Sequence, residues 1–167
     1  MNIKSIALAV VAALVPALAN AWDTRPDTYY EFTTQFRGPH MCMDVFNGGD
    51  ENNFVNLSRC GNYSGQKWNL RPAGHGRFRL TTEFRGTGMC LDVVNGGPRS
   101  NRLQLARCGN YSGQFWTLSP FGAGRGMVLT NDFTPGRCAD IHDDRVDVSP
   151  CGNYSGQNWF VRRTGTL

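Results

Sequence analysis

The heptapeptide CGNYSGQ stands three times in this chain, at 60–66, 108–114 and 151–157. Each copy closes a longer unit. The first unit runs FTTQFRGPHMCMDV and then NFVNLSRCGNYSGQKWNL. The second runs LTTEFRGTGMCLDV and then NRLQLARCGNYSGQFWTL. The third runs LTNDFTPGRCADI and then RVDVSPCGNYSGQNWFV. Cys42, Cys90 and Cys138 lie 48 and 48 residues apart, whereas Cys60, Cys108 and Cys151 lie 48 and 43 apart, so the third unit has lost five residues between its cysteines. A period this long means one supersecondary unit copied and packed against itself.

Within each unit the pattern belongs to strands. FVNLSRC and LQLARC alternate apolar and polar residues with a period of two, as one buried face requires. Clusters of Gly and Asn (NGGDENN, NGGPRSN, AGHG, GAGRG) separate the runs. No stretch carries a convincing helical period. Each unit reads as four short strands, near 30–36, 41–46, 54–60 and 66–71 in the first. Twelve strands in three equivalent units close into a pseudo-threefold barrel with a cap, because an open array would leave bare sheet edges.

The symmetry also addresses the six cysteines. Any pairing must look alike in each unit, which selects Cys42–Cys60, Cys90–Cys108 and Cys138–Cys151. Loops of this size stabilise by roughly 3 kcal/mol each on the chain-entropy model. Disulfides imply an oxidising compartment, and the N-terminus agrees. MNIK is followed by the apolar run IALAVVAALVPALA and then by Ala19-Asn20-Ala21, which reads as a secretory signal, residues 1–21, cleaved after Ala21. Pro16 and Asn20 leave the run short of the roughly 20 residues a membrane span needs. The expected destination is secreted or periplasmic. Without Lys4 the chain has 16 basic against 13 acidic residues. That excess is too small, and too scattered, for a nucleic-acid surface.

C-x-D, a second Cys and then Q-x-W, in three ordered copies, resembles the ricin B-type lectin family. The carriers are CMDV, CLDV and CADI, then QKW, QFW and QNW. The resemblance covers about residues 29–163. It implies an all-β fold, a β-trefoil, with repeats at about 29–76, 77–124 and 125–163 behind a short extension at 22–28. It also implies a carbohydrate-binding protein, usually for galactose-type or related sugars, with glycans as partners.

Carried over residue by residue, the C-x-D carboxylates that accept sugar hydroxyls are Asp44, Asp92 and Asp140. A carboxylate is the strongest such acceptor, although a turn Asp that bonds its own backbone would look the same. The polar residue four before the second Cys, at Asn56, Gln104 and Asp147, is the position that helps line the family's site. The chain departs from the family in two places. The stacking aromatic two before the second Cys is replaced by Ser58, Ala106 and Ser149. The Asn before Q-x-W is replaced by Gly65, Gly113 and Gly156. The amides of Asn62, Asn110 and Asn153 and the rings of Tyr63, Tyr111 and Tyr154 are the candidates to replace them, since a ring binds the C–H face of a sugar at little entropic cost.

Gln66, Gln114 and Gln157 are expected to satisfy buried backbone groups, and Trp68, Trp116 and Trp159 to fill the core. The series Phe36, Phe84 and Phe133 likewise reads as core. NYS fits the glycosylation sequon at Asn62, Asn110 and Asn153, but a leader of a kind common in bacteria makes modification unexpected.

Nothing supports an enzyme. His40, His75 and His142 fall at unrelated phases of the repeat, and ADIHDD reads as a solvated acidic turn rather than a metal loop. No cofactor is expected. The competing function is a cell-binding or scaffold subunit of a multichain toxin. Subunits A and C of cytolethal distending toxins share the implied fold and often have degraded sugar sites. Such a subunit would act mainly through protein–protein contact with partner subunits. A protease inhibitor of the same fold ranks last, because these Gly-rich loops offer no rigid reactive segment.

Overall fold

A computed structural model describes residues 22–124 and 126–164. The expected signal, residues 1–21, lies outside the described residues. Twelve strands follow in chain order, four to a repeat. The first repeat holds β1 (Tyr30–Thr34), β2 (Gly38–Val45), β3 (Val55–Arg59) and β4 (Trp68–Pro72). The second holds β5 (Phe78–Thr82), β6 (Met89–Val93), β7 (Leu103–Arg107) and β8 (Trp116–Pro120). The third holds β9 (Met127–Asn131), β10 (Arg137–His142), β11 (Arg145–Pro150) and β12 (Trp159–Arg163).

Six strands form a closed antiparallel ring, β1–β4–β5–β8–β9–β12 and back to β1. The hairpins β2–β3, β6–β7 and β10–β11 make the cap. They touch one another in a cycle, through bridges Phe54 to Gln104, Arg102 to Asp147 and Arg145 to Asn56. This is the closed threefold barrel that the repeat predicts, a β-trefoil. Closure pairs the strand edges that an open array would expose.

The core is built in triplets, one residue from each repeat. Phe32, Leu80 and Leu129 come from the middle of β1, β5 and β9, and Met43, Leu91 and Ala139 from the hairpins. Trp68, Trp116 and Trp159 are fully buried. All three expected disulfides are formed, with Cα–Cα separations of 5.0 Å, so each hairpin is tied across its open end.

Two expectations about element ends need correcting. β4 begins at Trp68, not at Gln66. Ser64–Gln66, Ser112–Gln114 and Ser155–Gln157 form 3-10 turns, because the glutamine side chains fold back onto their own loops. β1 ends at Thr34 rather than Phe36. Positions 30, 32 and 34 face inward, and the same parity would carry Phe36 into the core. The chain turns away after Thr34, so Phe36 is 52% exposed and its counterpart Phe133 37% exposed, with Phe84 half-buried. Phe36 and Phe133 are not core, whereas Phe84 packs against the edge of the core.

The five-residue deletion also has a visible consequence. In the first two repeats the hairpin is joined by NGG loops, whose paired glycines take positive φ: 90° and 62° at Gly48 and Gly49, 81° and 73° at Gly96 and Gly97. Such backbone favours glycine. In the third repeat β10 and β11 meet through Asp143 and Asp144 alone, with Asp143 at φ 50°.

Candidate functional site

Each C-x-D aspartate sits near the end of the first hairpin strand, and the copied heptapeptide holds it there. Trp68 Nε1 donates to the carbonyl of Met43, the residue just before Asp44, at 2.8 Å. Trp116 and Trp159 do the same to Leu91 at 3.0 Å and Ala139 at 2.9 Å. Gln66 Nε2 donates to Asp44 Oδ2 at 3.0 Å, Gln114 to Asp92 at 2.9 Å and Gln157 to Asp140 at 2.9 Å. The same glutamines bind backbone on both sides, as expected. Their Oε1 atoms accept from Gly61, Gly109 and Gly152 N–H, and their Nε2 atoms donate to the carbonyls of Arg59, Arg107 and Pro150.

The two glycines of the heptapeptide are fixed by close approach. A Cβ on Gly65, Gly113 or Gly156 would collide with the carboxylate of Asp44, Asp92 or Asp140. Glycine at these positions matches the close approach of the carboxylate. A Cβ on Gly61, Gly109 or Gly152 would run into the ring of Tyr63, Tyr111 or Tyr154. Each tyrosine ring therefore leans on its glycine and leaves the rest to solvent, at 61, 63 and 60% exposure. Asn62, Asn110 and Asn153 are exposed beside them.

These parts line clefts. The second-repeat cleft, about 490 Å³, is walled by Asp92, Asn95, Gln104, Asn110, Tyr111 and Phe133, among others. The first-repeat cleft, about 230 Å³, is walled by Asp44, Asn47, Tyr63, Ser64 and Phe84, with the backbone of Val45 and Gly65. Both lie between repeats, since the phenylalanine comes from the following unit. The backbone N–H of Phe84 donates to Ser64 carbonyl at 3.2 Å, and Phe36 to Ser155 carbonyl at 3.2 Å. In the second cleft Asn131 joins the units, donating to Gly113 carbonyl at 2.7 Å and accepting from Phe133 N–H at 2.9 Å.

The sequence reading missed the phenylalanines and the loop asparagines Asn47 and Asn95. The signal for the first was an aromatic recurring two residues past each strand end. The signal for the second was an Asn before each glycine pair.

The three carboxylates differ in what remains free. An ionised carboxylate has about four acceptor sites. Asp92 accepts from Gln114 at Oδ2 and from Val93 N–H at Oδ1 (2.8 Å), and nothing more. Asp44 accepts at Oδ2 from both Ser58, at 2.5 Å, and Gln66, with no bond at Oδ1. Asp140 accepts from Ile141 N–H at 2.7 Å, from Ser149 at 2.5 Å and from Gln157. It is 7% exposed, whereas Asp44 and Asp92 are half-buried. The third repeat also lacks an NGG loop, so no residue there corresponds to Asn47 or Asn95.

The series four before the second Cys divides as well. Gln104 faces the second cleft. Asn56 is buried in the cap, accepting from Arg102 at 3.0 Å and contacting Glu51 at 3.4 Å, and it does not line the first cleft. Asp147 bonds His142 Nδ1 at 3.0 Å. Burial raises the Asp147 carboxyl above the usual range, against the opposing pull of His142. Glu51 is held below that range by its hydrogen bond from Arg102. Among the described residues no three His, Cys, Asp or Glu side chains gather as a metal site.

Known proteins carry the same pattern. A family described as the ricin-type beta-trefoil lectin domain matches residues 78–167, and a second, described as ricin-type beta-trefoil lectin domain-like, matches 18–101. No curated protein matches this chain by sequence. Among solved structures, the ricin B-like lectin of Macrolepiota procera in complex with lactose has 17% identity and a TM-score of 0.67, over 84% of this chain and 98% of that one. The Haemophilus ducreyi cytolethal distending toxin has 18% identity and a TM-score of 0.61, over 83% of this chain and 85% of that one. A mosquitocidal holotoxin has 15% identity and a TM-score of 0.69, over 82% of this chain, which spans 17% of that protein. At these identities the likeness is one of fold.

Proposed function

The chain belongs to the ricin-type β-trefoil lectin family, and from that premise we propose that it is an exported, non-catalytic glycan-binding protein whose principal site is the second-repeat cleft. The observation that carries this reading is the state of Asp92. Its carboxylate is oriented by Gln114 and by the strand pinned through Trp116, yet it keeps acceptor capacity facing an open cleft. A sugar needs fixed acceptors for adjacent hydroxyls and a flat apolar surface for its C–H face. Asp92, Asn95 and Gln104 supply the first. Tyr111 and Phe133 supply the second, from two different repeats, where the family's usual stacking residue is Ala106.

One such shallow site binds weakly, on the order of millimolar or about −4 kcal/mol. Useful avidity comes from the second and first clefts engaging clustered glycans together. The galactose-type sugar that the family resemblance implies suits the second cleft, whose lining carries no cation. A glycan array probed with the mature protein tests this. Binding to neutral galactosides that D92A abolishes is the expected result, and binding that survives D92A and D44A together refutes it. Export is supported by the three disulfides, which suit an oxidising compartment. Its test is the N-terminus of the secreted protein, expected at Trp22.

The third repeat favours a second reading in part. The rings of Tyr154 and Phe36 are exposed, while the carboxylate of Asp140 is buried and already hydrogen-bonded. Apolar rings without an open acceptor suit a protein partner, such as another subunit of a toxin assembly. An array with no signal at any glycan density would make that the main function.

A further inference from the structure

The residue after the recurring phenylalanine is Arg in two repeats and Thr in the third, so the two clefts differ in the cation at their edge. Phe84 is followed by Arg85, Phe133 by Thr134 and Phe36 by Arg37. Arg37 is neutralised, since its Nε lies 2.9 Å from Asp144 Oδ1. Arg85 has no acidic partner among the described residues. Its guanidinium lies 4.1 Å from the centroid of Phe84, and its Nη2 donates to neutral amides, Asn52 at 2.8 Å and Asn47 at 3.4 Å. Its Nε is buried without a partner. Phe84 and Asn47 both wall the first cleft. The first cleft therefore has, beside the Asp44 carboxylate, a cation bonded to no acid and fixed to two of its walls; the lining of the second carries no cation, and Arg37, its counterpart in the first repeat, is already paired.

We infer that the first-repeat cleft selects saccharides bearing an anionic group, a carboxylate or a sulfate ester, with Arg85 as the residue that recognises it. This rests on the glycan-binding reading. Asp44 keeps Oδ1 free for a ring hydroxyl, so one sugar can meet an acceptor and a cation together. Arg is suited to the second role because its planar donors match carboxylate and sulfate oxygens in pairs. The long contact from Nη2 to Asn47 is the one a ligand oxygen replaces. Two neutral amides hold the guanidinium in place without cancelling its charge, so little side-chain entropy is lost on binding. A neutral sugar gains nothing from this charge, whereas in the second cleft a neutral sugar meets no unpaired cation.

The test uses the mature protein with the second cleft silenced by D92A, titrated with sialyllactose, sulfated lactose and lactose at low and high salt. The expected result is binding of one or both anionic sugars in preference to lactose, weakened by salt as exposed charge pairs are. Adding R85Q lowers that affinity about tenfold, the scale of one charged hydrogen bond, and R85K retains part of it. Sialyllactose and sulfated lactose separate a carboxylate preference from a sulfate preference. R85Q alone, assayed with lactose at the intact second cleft, reports that the fold survives. Unchanged affinity in R85Q, or lactose binding as tightly as both anionic sugars, overturns the inference while leaving the glycan-binding reading intact. Loss of every saccharide from the unmutated protein overturns both.

Discussion

The second and third repeats carry the same CGNYSGQ and the same Trp, yet one presents an open carboxylate and the other a closed one. In both, Gln and Trp hold the aspartate by identical bonds. The difference lies outside the copied segment. The second repeat has Ala106 where the third has Ser149, and a seven-residue NGGPRSN loop where the third has a two-residue turn. The Ser149 hydroxyl occupies an acceptor position that Ala106 leaves free. The loop raises Asn95 as a wall that the third repeat lacks. Identity among the repeats therefore marks the frame that orients the aspartate, and divergence marks what the aspartate can bind.

If the frame is common, removing it should hurt both repeats alike. W116A and W159A each delete a fully buried indole and its bond to the hairpin backbone, and each is expected to cost about 3–5 kcal/mol. Urea unfolding of the two variants checks this. A loss confined to one repeat would mean the frames are not equivalent.

The aspartates should instead respond in opposite ways. D92A removes a half-exposed carboxylate, and Gln114 keeps its bond to Arg107 carbonyl at 2.9 Å. Glycan affinity should fall by about tenfold or more, while stability changes by less than about 1 kcal/mol. Each variant frees one backbone N–H, but D140A also strands the Ser149 hydroxyl and part of Gln157 around a buried site. It should cost about 1–3 kcal/mol in stability and leave glycan binding unchanged. Paired calorimetry and denaturation measurements on the two variants read both effects.

This contrast also explains what was legible in the sequence. Period, alternation and cysteine spacing are local and repeated three times, so the barrel, the cap and the disulfides could all be read from them. The roles of Gln66 and Trp68 followed from their recurrence with the symmetry. The clefts were harder because they lie between units. Phe133 completes the cleft of Asp92 from the next repeat, and its parity with Leu129 and Asn131 disguised it as core. The burial of Asn56 depends on Arg102 and Glu51, an ion pair 51 residues apart, which no strand pattern encodes. The tyrosines were noticed as copies, but their support by Gly61, Gly109 and Gly152 is a matter of close packing.

A single methyl-to-hydroxymethyl change sharpens the comparison. A106S gives Asp92 the serine that Asp44 and Asp140 already have. It should add about 1 kcal/mol of stability from the new hydrogen bond and weaken binding at the second cleft several-fold. S58A should do the reverse at the first cleft. If A106S leaves affinity unchanged, the free acceptor of Asp92 is not what the ligand uses.

The smallest effect concerns the two hairpin connections themselves. Glu51 stands in the long first-repeat loop and is held below the usual carboxylate range by Arg102, whereas Asp147 stands on the short third hairpin and is raised by burial. The signs are opposite. Glu51 contributes stability above its unfolded pKa, and that contribution is lost as pH falls through its folded pKa. Asp147 favours the folded state below its unfolded pKa, and that preference is lost as pH rises through its folded pKa. E51Q should therefore be less stable than the parent at neutral pH, with the gap closing in acid. D147N should be slightly more stable than the parent at neutral pH, and that gap too should close in acid, because Asp147 then carries its own proton. Urea midpoints for the three proteins, measured from neutral pH down through the carboxylate range, would show two gaps of opposite sign converging. Gaps of the same sign would mean that Asp147 is held in place by His142 and Arg145 more strongly than its burial opposes.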